Sequence, residues 1–195
     1  MFYGQGLHYI NMQVNRTTKY DIRIIKIHLN KIKKVEYKMS LFYRSTRDDN
    51  VRVTASQAIL KGLAPDGGLF VPESIPSLDK SLEELSKMSY KEVAYEVMKL
   101  MLDDFTEEEL KNCIDKAYDS KFDTEEIAPL VKAEGAYYLE LFHGATIAFK
   151  DMALSLLPHL MTLSLKQLKE DREVMILAAT SGDTGKAALE GFKDV

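Results

Sequence analysis

The stretch LELFHGATIAFKD, residues 139–151, passes from one hydrophobic pattern to another. Its first residues continue an apolar run over residues 137–142, which is typical of a β-strand and stops before Gly144. A helical pattern begins at about Ile147 and predicts that Lys150 lies in the first turn of a helix. The succession of strand, turn and helix favours an α/β fold.

Lys150 is the first candidate for a chemical role. Its neighbours Ile147, Ala148, Phe149 and Met152 are apolar, whereas lysines mostly lie among polar groups in water. A partly desolvated ammonium loses part of its preference for the charged form, and the neutral amine is a nucleophile that can form a Schiff base. The ordinary alternative is a surface lysine, and the residues alone leave both interpretations open.

A second motif, ATSGDTG, occupies residues 179–185 and precedes a helical pattern over residues 184–192. Backbone N–H groups and the dipole at a helix start favour an anion, and the hydroxyls of Ser181 and Thr184 are further donors. The glycine spacing fits neither a P-loop nor a dinucleotide fingerprint. We therefore predict a site for an anionic group of a substrate, although Asp183 would repel a phosphate dianion; a tight turn with a capped helix is the structural alternative.

The residues between the two motifs predict a sheet and a broken helix. The apolar run VMILAA, residues 174–179, does not alternate with polar residues, which indicates a strand of a parallel sheet buried on both faces. The helical pattern from residue 147 to about 169 contains Pro158, which should kink it or split it in two.

The first motif contains two further residues with a candidate role, His143 and Asp151. His143 is a candidate base, but a histidine at a strand end is more often a hydrogen-bonded structural residue. Asp151 follows Lys150 directly and points to another side of the helix, so we expect it to support the helix start and not to pair with the lysine.

Residues 40 to about 120 predict a small mixed domain without a catalytic constellation. Four helix starts there have Ser or Thr followed three positions later by Glu or Gln, which is the capping-box pattern. Those starts are Thr54, Ser81, Ser89 and Thr106. The apolar stripes at helical spacing are Val93, Val97, Leu100 and Met101, and then Leu110, Ile114 and Ala117. Cys113 lies beside the second stripe and is expected to be a buried thiol.

Charge divides the chain at Met39. The whole chain has a formal net charge of −4, whereas residues 1–38 hold eight Lys/Arg and two Asp/Glu, 8 − 2 = +6, which leaves −4 − 6 = −10 for residues 39–195. We predict that residues 1–38 are upstream sequence translated before a true start at Met39; the alternative is a basic arm for nucleic acid or membrane. The acidic body argues against nucleic acid as the main partner.

The remaining composition excludes several classes of protein. The single cysteine excludes an internal disulfide framework and fits a reducing cytoplasm. No apolar run approaches the roughly 20 residues that span a membrane, and the four histidines show no metal-ligand spacing. We therefore expect a cytoplasmic protein with no membrane partner and no metal site.

Three motifs together resemble one known family. HGATIAFKD at residues 143–151 and ATSGDTG at residues 179–185 are similar to threonine synthases, whose fold type includes tryptophan synthase β and cysteine synthase. GLAPDGGLFVPE at residues 62–73 resembles the N-terminal domain specific to threonine synthases. The resemblance implies an α/β fold in which a small mixed N-terminal domain, residues 39–122, is followed by the start of a parallel-sheet pyridoxal-phosphate domain, residues 123–195.

The resemblance also implies a cofactor, a reaction and roles for residues. The cofactor would be pyridoxal 5′-phosphate, and O-phospho-L-homoserine and water would become L-threonine and phosphate. Lys150 would hold the cofactor through a Schiff base, supported by Phe149, and Asp183 would lie at the place where several relatives bond the cofactor ring. The turn that would bind the substrate carboxylate comprises Ser181, Gly182, Asp183, Thr184 and Gly185.

The resemblance further implies that the chain is a fragment. In the family, the glycine-rich loop for the cofactor phosphate and the residue that meets the pyridine nitrogen lie further on, so we expect that the chain alone neither binds the cofactor tightly nor turns over. One alternative is a related pyridoxal-phosphate lyase or dehydratase. The other is a non-catalytic truncated homologue that acts as a binding module.

Overall fold

The computed structural model describes residues 40–195, and the predictions for residues 1–38 lie outside this range. The helices are α1 (Ala55–Lys61), α2 (Leu82–Leu85), α3 (Tyr90–Met101), α4 (Glu107–Ala117), α5 (Asp151–Leu154), α6 (Leu157–Leu168) and α7 (Asp183–Gly191). The strands are β1 (Tyr43–Ser45), β2 (Phe70–Pro72), β3 (Leu130–Ala133) and β4 (Ala136–Leu139). The fold is therefore of the predicted mixed α/β class, with small sheets.

The four strands form two antiparallel pairs. β1 pairs with β2, with Tyr43 opposite Pro72, and β3 pairs with β4, with Leu130 opposite Leu139. Glu134 and Gly135 connect β3 to β4 with φ angles of 50° and 82°, the left-handed conformation that a tight two-residue hairpin requires. The hairpin confirms a strand within residues 137–142 but ends it at Leu139.

The four predicted capping boxes are all present. At the starts of α1, α2, α3 and α4, the hydroxyl accepts the N–H of the third helical residue, whose side chain accepts the N–H of the cap. Each box satisfies two backbone donors that a helix start leaves without partners. The helix starts of residues 54–117 are thus encoded locally.

One hydrophobic core joins the first half of the chain to the second. α4 contributes the predicted stripe to it, and Cys113 is buried there as expected, with the thiol pKa raised by burial. The same core contains three residues that follow residue 122 in the chain, Ile127, Leu156 and Leu160. In addition, α1 packs against α6. The domain division at residues 122 and 123 stays a prediction.

The predicted apolar face of α3 is wrong by about one residue. Tyr90, Ala94 and Met98 pack against the core, whereas Val97, from the predicted stripe, is 43% exposed. The ring of Tyr90 meets the buried ring of Tyr118 edge to face, with centroids 5.0 Å apart. Aromatic contacts of this kind are stabilising. The pair therefore favours packing of the face of α3 that carries Tyr90 against the core.

The strand predicted over residues 174–179 does not form. Met175 is 77% and Leu177 is 87% exposed, and the segment lies outside helix and strand. A buried strand takes its hydrogen bonds from neighbouring strands. Within residues 40–195, all four strands are engaged in the two antiparallel pairs, and none lies beside this segment.

Pro158 has the predicted effect on the helix. It lies in the first turn of α6, where its missing N–H costs no hydrogen bond, and α5 ends before it at Leu154. No helix formed by residues 40–195 has both the length and the apolar character needed to cross a membrane.

Candidate functional site

Lys150 is the residue that directly precedes α5. Its carbonyl accepts the N–H of Leu154 at 2.9 Å, so the helix begins at Asp151 and not at Ile147 as predicted. Ile147 has a φ of 62° and is 72% exposed, because residues 144–149 form successive turns. The apolar neighbours therefore do not enclose the lysine as expected.

The side chain of Lys150 is half-buried and stacks on its neighbour. Its Nζ lies 4.6 Å from the centroid of the Phe149 ring, a cation–π contact, and no carboxylate of residues 40–195 forms an ion pair with it. Phe149 thus contacts the lysine, and its role as a support for a cofactor anchor stays a prediction. The amine is held by an aromatic face and stays available to a ligand.

Asp151 braces the loop before the lysine. Its buried carboxylate accepts the N–H of Thr146 at 2.7 Å and the Thr146 hydroxyl at 2.6 Å. A Cβ at Gly144 would lie 2.5 Å from the Asp151 Cβ, so only glycine allows this approach. The supporting role predicted for Asp151 fits this geometry.

His143 is held by two carboxylates. Nδ1 lies 2.5 Å from Asp123 Oδ1, and Nε2 lies 2.9 Å from Glu140 Oε2. The hydrogen bonds to Glu140 and then to Asp123 raise the pKa of His143 above its ordinary value. Both ring nitrogens are occupied, which favours the structural interpretation over a catalytic base.

The raised pKa of His143 predicts a pH dependence. The imidazolium stabilises the fold fully below the unfolded-state pKa of about 6.5, and this contribution is lost as the pH rises through the folded-state pKa. Urea unfolding of the wild type and His143→Gln across this range should show the difference in unfolding free energy shrinking with rising pH. Burial and then Lys121 lower the pKa of His159. The same urea comparison for His159→Gln is therefore the control, and it should show the opposite dependence on pH. A pH-independent difference for His143→Gln would contradict the assignment.

The second motif forms an exposed turn at the start of α7. The Thr180 hydroxyl accepts the N–H groups of Gly182 at 3.2 Å and Gly185 at 3.0 Å. Gly182 has a φ of 145°, which glycine alone adopts readily. The predicted helix start at Thr184 is correct to one residue, and Ser181, Asp183 and Thr184 are exposed around it.

Two contacts hold α7 beside the lysine loop. The Lys186 ammonium donates to the Thr146 carbonyl at 3.1 Å, and a Cβ at Gly191 would lie only 2.1 Å from the Leu154 carbonyl oxygen. Ala187 and Ala188 are buried between these contacts. The structure therefore brings the two motifs together.

Three residues at this junction were not singled out from the sequence. Thr180 caps the turn, and the hydroxyl beside a helix start is a signal that could have identified it. Thr146 and Lys186 contact each other across 40 residues of chain, and nothing in the sequence pattern predicts that contact.

The comparisons with known proteins agree with these motifs. Residues 42–118 match the family described as "Threonine synthase N terminus". The chain is homologous to the N-terminal part of the threonine synthases. The threonine synthase of Saccharomyces cerevisiae is 37% identical over 170 residues, which are 79% of this chain and 33% of that protein. Threonine synthase-like 2 of Rattus norvegicus is 40% identical over 157 residues, 78% of this chain and 32% of that protein.

A solved threonine synthase shares the fold. The X-ray structure of the pyridoxal-phosphate-bound enzyme from Brucella melitensis matches with a TM-score of 0.70 and 38% identity, over 78% of this chain and 33% of that chain. The resemblance stated from the three motifs is thus confirmed. The chain spans about a third of the length of the threonine synthases that it matches.

Proposed function

We propose that the chain is part of a pyridoxal-phosphate-dependent threonine synthase, which converts O-phospho-L-homoserine and water to L-threonine and phosphate. The observation that carries the proposal is the Lys150 amine, which no carboxylate of residues 40–195 holds and which lies on the loop that Lys186 of α7 contacts. The homology to threonine synthases supports the choice of reaction.

The residues present fit the part of the cofactor that an anchoring lysine binds, its aldehyde group. An anchoring lysine needs an amine that no carboxylate holds, and Lys150 meets this condition within the described chain. The relative from Brucella melitensis binds pyridoxal phosphate, which supports the same cofactor here. When bound, the cofactor supplies an electron sink for charge that develops at the substrate Cα and Cβ.

Each motif has a separate task in this proposal. Lys150 would hold the cofactor through its amine and would move protons at the substrate Cα and Cβ, while Phe149 keeps the side chain in place. Residues 181–185 bind the substrate α-carboxylate with the hydroxyls of Ser181 and Thr184 and with those backbone N–H groups of the turn that Thr180 does not occupy. Asp183 starts α7 and would be the residue of this turn that contacts the cofactor.

The test is to locate the cofactor chemically. The 195-residue chain is incubated with pyridoxal phosphate, reduced with borohydride and digested, and the pyridoxyl group is mapped by mass spectrometry. We expect the label on the peptide that contains Lys150. A label spread over exposed lysines, with no preference for this peptide, would reject the proposal.

Two alternatives remain distinct from this proposal. A related lyase or dehydratase would act on serine or threonine and not on O-phospho-L-homoserine, so assays of the full-length gene product with these substrates separate the two. A binding module is favoured by the exposed apolar residues Met175 and Leu177, which a partner could cover. It predicts stable folding without any cofactor uptake. A cytoplasmic location belongs to the main proposal and is supported by the free, buried Cys113.

A further inference from the structure

We propose that Lys186 is a positioning residue that sets the distance between the Lys150 loop and the turn at residues 181–185. The inference rests on the proposed function, because it assumes that both motifs face one ligand. Lys186 itself is exposed and belongs to α7, whereas its ammonium reaches the carbonyl of Thr146, four residues before Lys150.

Thr146 is the fixed point of this arrangement. Its N–H and hydroxyl donate to the two carboxylate oxygens of Asp151, and its carbonyl accepts from Lys186. The residue is buried, with 6% of its surface exposed, so each of these polar groups needs its partner. Asp151 fixes the loop to α5, and Lys186 fixes the same loop to α7.

The hydrogen bond from the Lys186 ammonium to the Thr146 carbonyl is directional and charge-assisted. No carboxylate of residues 40–195 forms an ion pair with Lys186, although Asp183 lies three residues earlier on α7. A carbonyl that accepts from an ammonium makes a stronger hydrogen bond than one between neutral groups. The ammonium also places a positive charge beside the turn, which partly offsets Asp183 and favours a carboxylate ligand there.

A second contact explains why the loss of Lys186 would not release the helix. The close approach of Gly191 to the Leu154 carbonyl anchors the far end of α7 independently. Ala187 and Ala188 remain buried along the same side. Without Lys186, α7 should stay docked at its C-terminal end while its first turn moves relative to the lysine loop.

The test compares Lys186→Met with Lys186→Arg and Lys193→Met in the full 195-residue chain. Methionine keeps most of the stem and removes the ammonium, arginine restores a cationic donor, and Lys193→Met removes an equal charge from an exposed residue just after α7. The first readout is amide hydrogen exchange of residues 144–149 and 183–186. The second is the rate at which pyridoxal phosphate and borohydride label Lys150.

We expect Lys186→Met to raise exchange about five- to tenfold in both segments and to slow labelling of Lys150 by a similar factor. Lys186→Arg should restore most of both values, and Lys193→Met should leave them unchanged. Circular dichroism should show the same helix content in all variants.

Two outcomes would overturn the proposal. In one, Lys186→Met leaves exchange in the two segments as it is in the wild type; in the other, Lys193→Met has an equal effect. The exchange readout needs no cofactor, so it separates this inference from the proposed function. If Lys150 is never labelled in the wild type, the proposed function fails, whereas increased exchange in both segments would still establish the link through Lys186.

Discussion

Lys150→Ala is expected to abolish specific attachment of pyridoxal phosphate to the chain. Because the chain alone is expected to bind the cofactor only weakly, pyridoxal phosphate is supplied in large excess. The wild type should then show a visible absorbance change and a borohydride-stable label, and the alanine variant should show neither. The reason is chemical: the covalent bond needs a primary amine, and Lys150 presents one that is stacked on Phe149 and not engaged by a carboxylate of residues 40–195. Absorbance titration followed by peptide mapping measures both effects.

Lys150→Arg separates this chemistry from folding. Arginine keeps a cation over the Phe149 ring but cannot form an imine, so the variant should fold as the wild type does and remain unlabelled. Lys132→Ala is the matched control, because Lys132 also lies over an aromatic ring, that of Tyr137, at 5.5 Å. It should leave the absorbance change intact. Persistent label in Lys150→Arg would assign the anchor to a different lysine.

Local signals allowed much of the fold to be predicted. A capping box needs only two side chains three residues apart, so the pattern at Thr106 and Glu109 specifies its own helix start. Pro158 likewise separates α5 from α6 through its own ring. The hairpin turn at Glu134 and Gly135 carries a weaker signal, because its second residue is glycine but its first is not the Asn, Asp or Gly that such turns prefer.

Features that depend on tertiary contacts could not be predicted. The inward face of α3 is decided by the contact of Tyr90 with Tyr118, 28 positions further along the chain. An apolar run such as residues 174–179 becomes a strand only beside other strands, and no strand of the described chain lies beside it. Sequence reasoning therefore found the first and second motifs but not the contact between them.

The candidate site shows the same division. Lys150 and the turn at residues 181–185 were found from residue type and local pattern. Their connection depends on the Thr146 carbonyl, and every residue has a carbonyl, so no side-chain pattern marks this one. Candidate reactive and binding residues are thus easier to predict from the sequence than the residues that position them.

Asp151→Ala is expected to destabilise the chain by about 3 kcal/mol and to disorder the loop before Lys150. The Asp151 carboxylate is 3% exposed and accepts two hydrogen bonds from Thr146. Hydrogen bonds to a charged group contribute about 1.5–3 kcal/mol each, and their loss leaves a buried N–H and a buried hydroxyl without partners. Relief of the buried charge offsets part of this cost. Urea denaturation measures the change in unfolding free energy.

Two controls show whether the bracing of the loop causes the effect. Thr146→Val removes only the hydroxyl donor and should cost about half as much, because the Thr146 N–H still reaches Asp151. Asp115→Ala removes an exposed carboxylate that pairs with Lys91 at 3.0 Å and should cost less than about 1 kcal/mol. Labelling of Lys150 should fall in Asp151→Ala and remain normal in Asp115→Ala. Equal destabilisation by the two aspartate variants would show that the buried carboxylate has no special role, since loss of charge alone would then explain both.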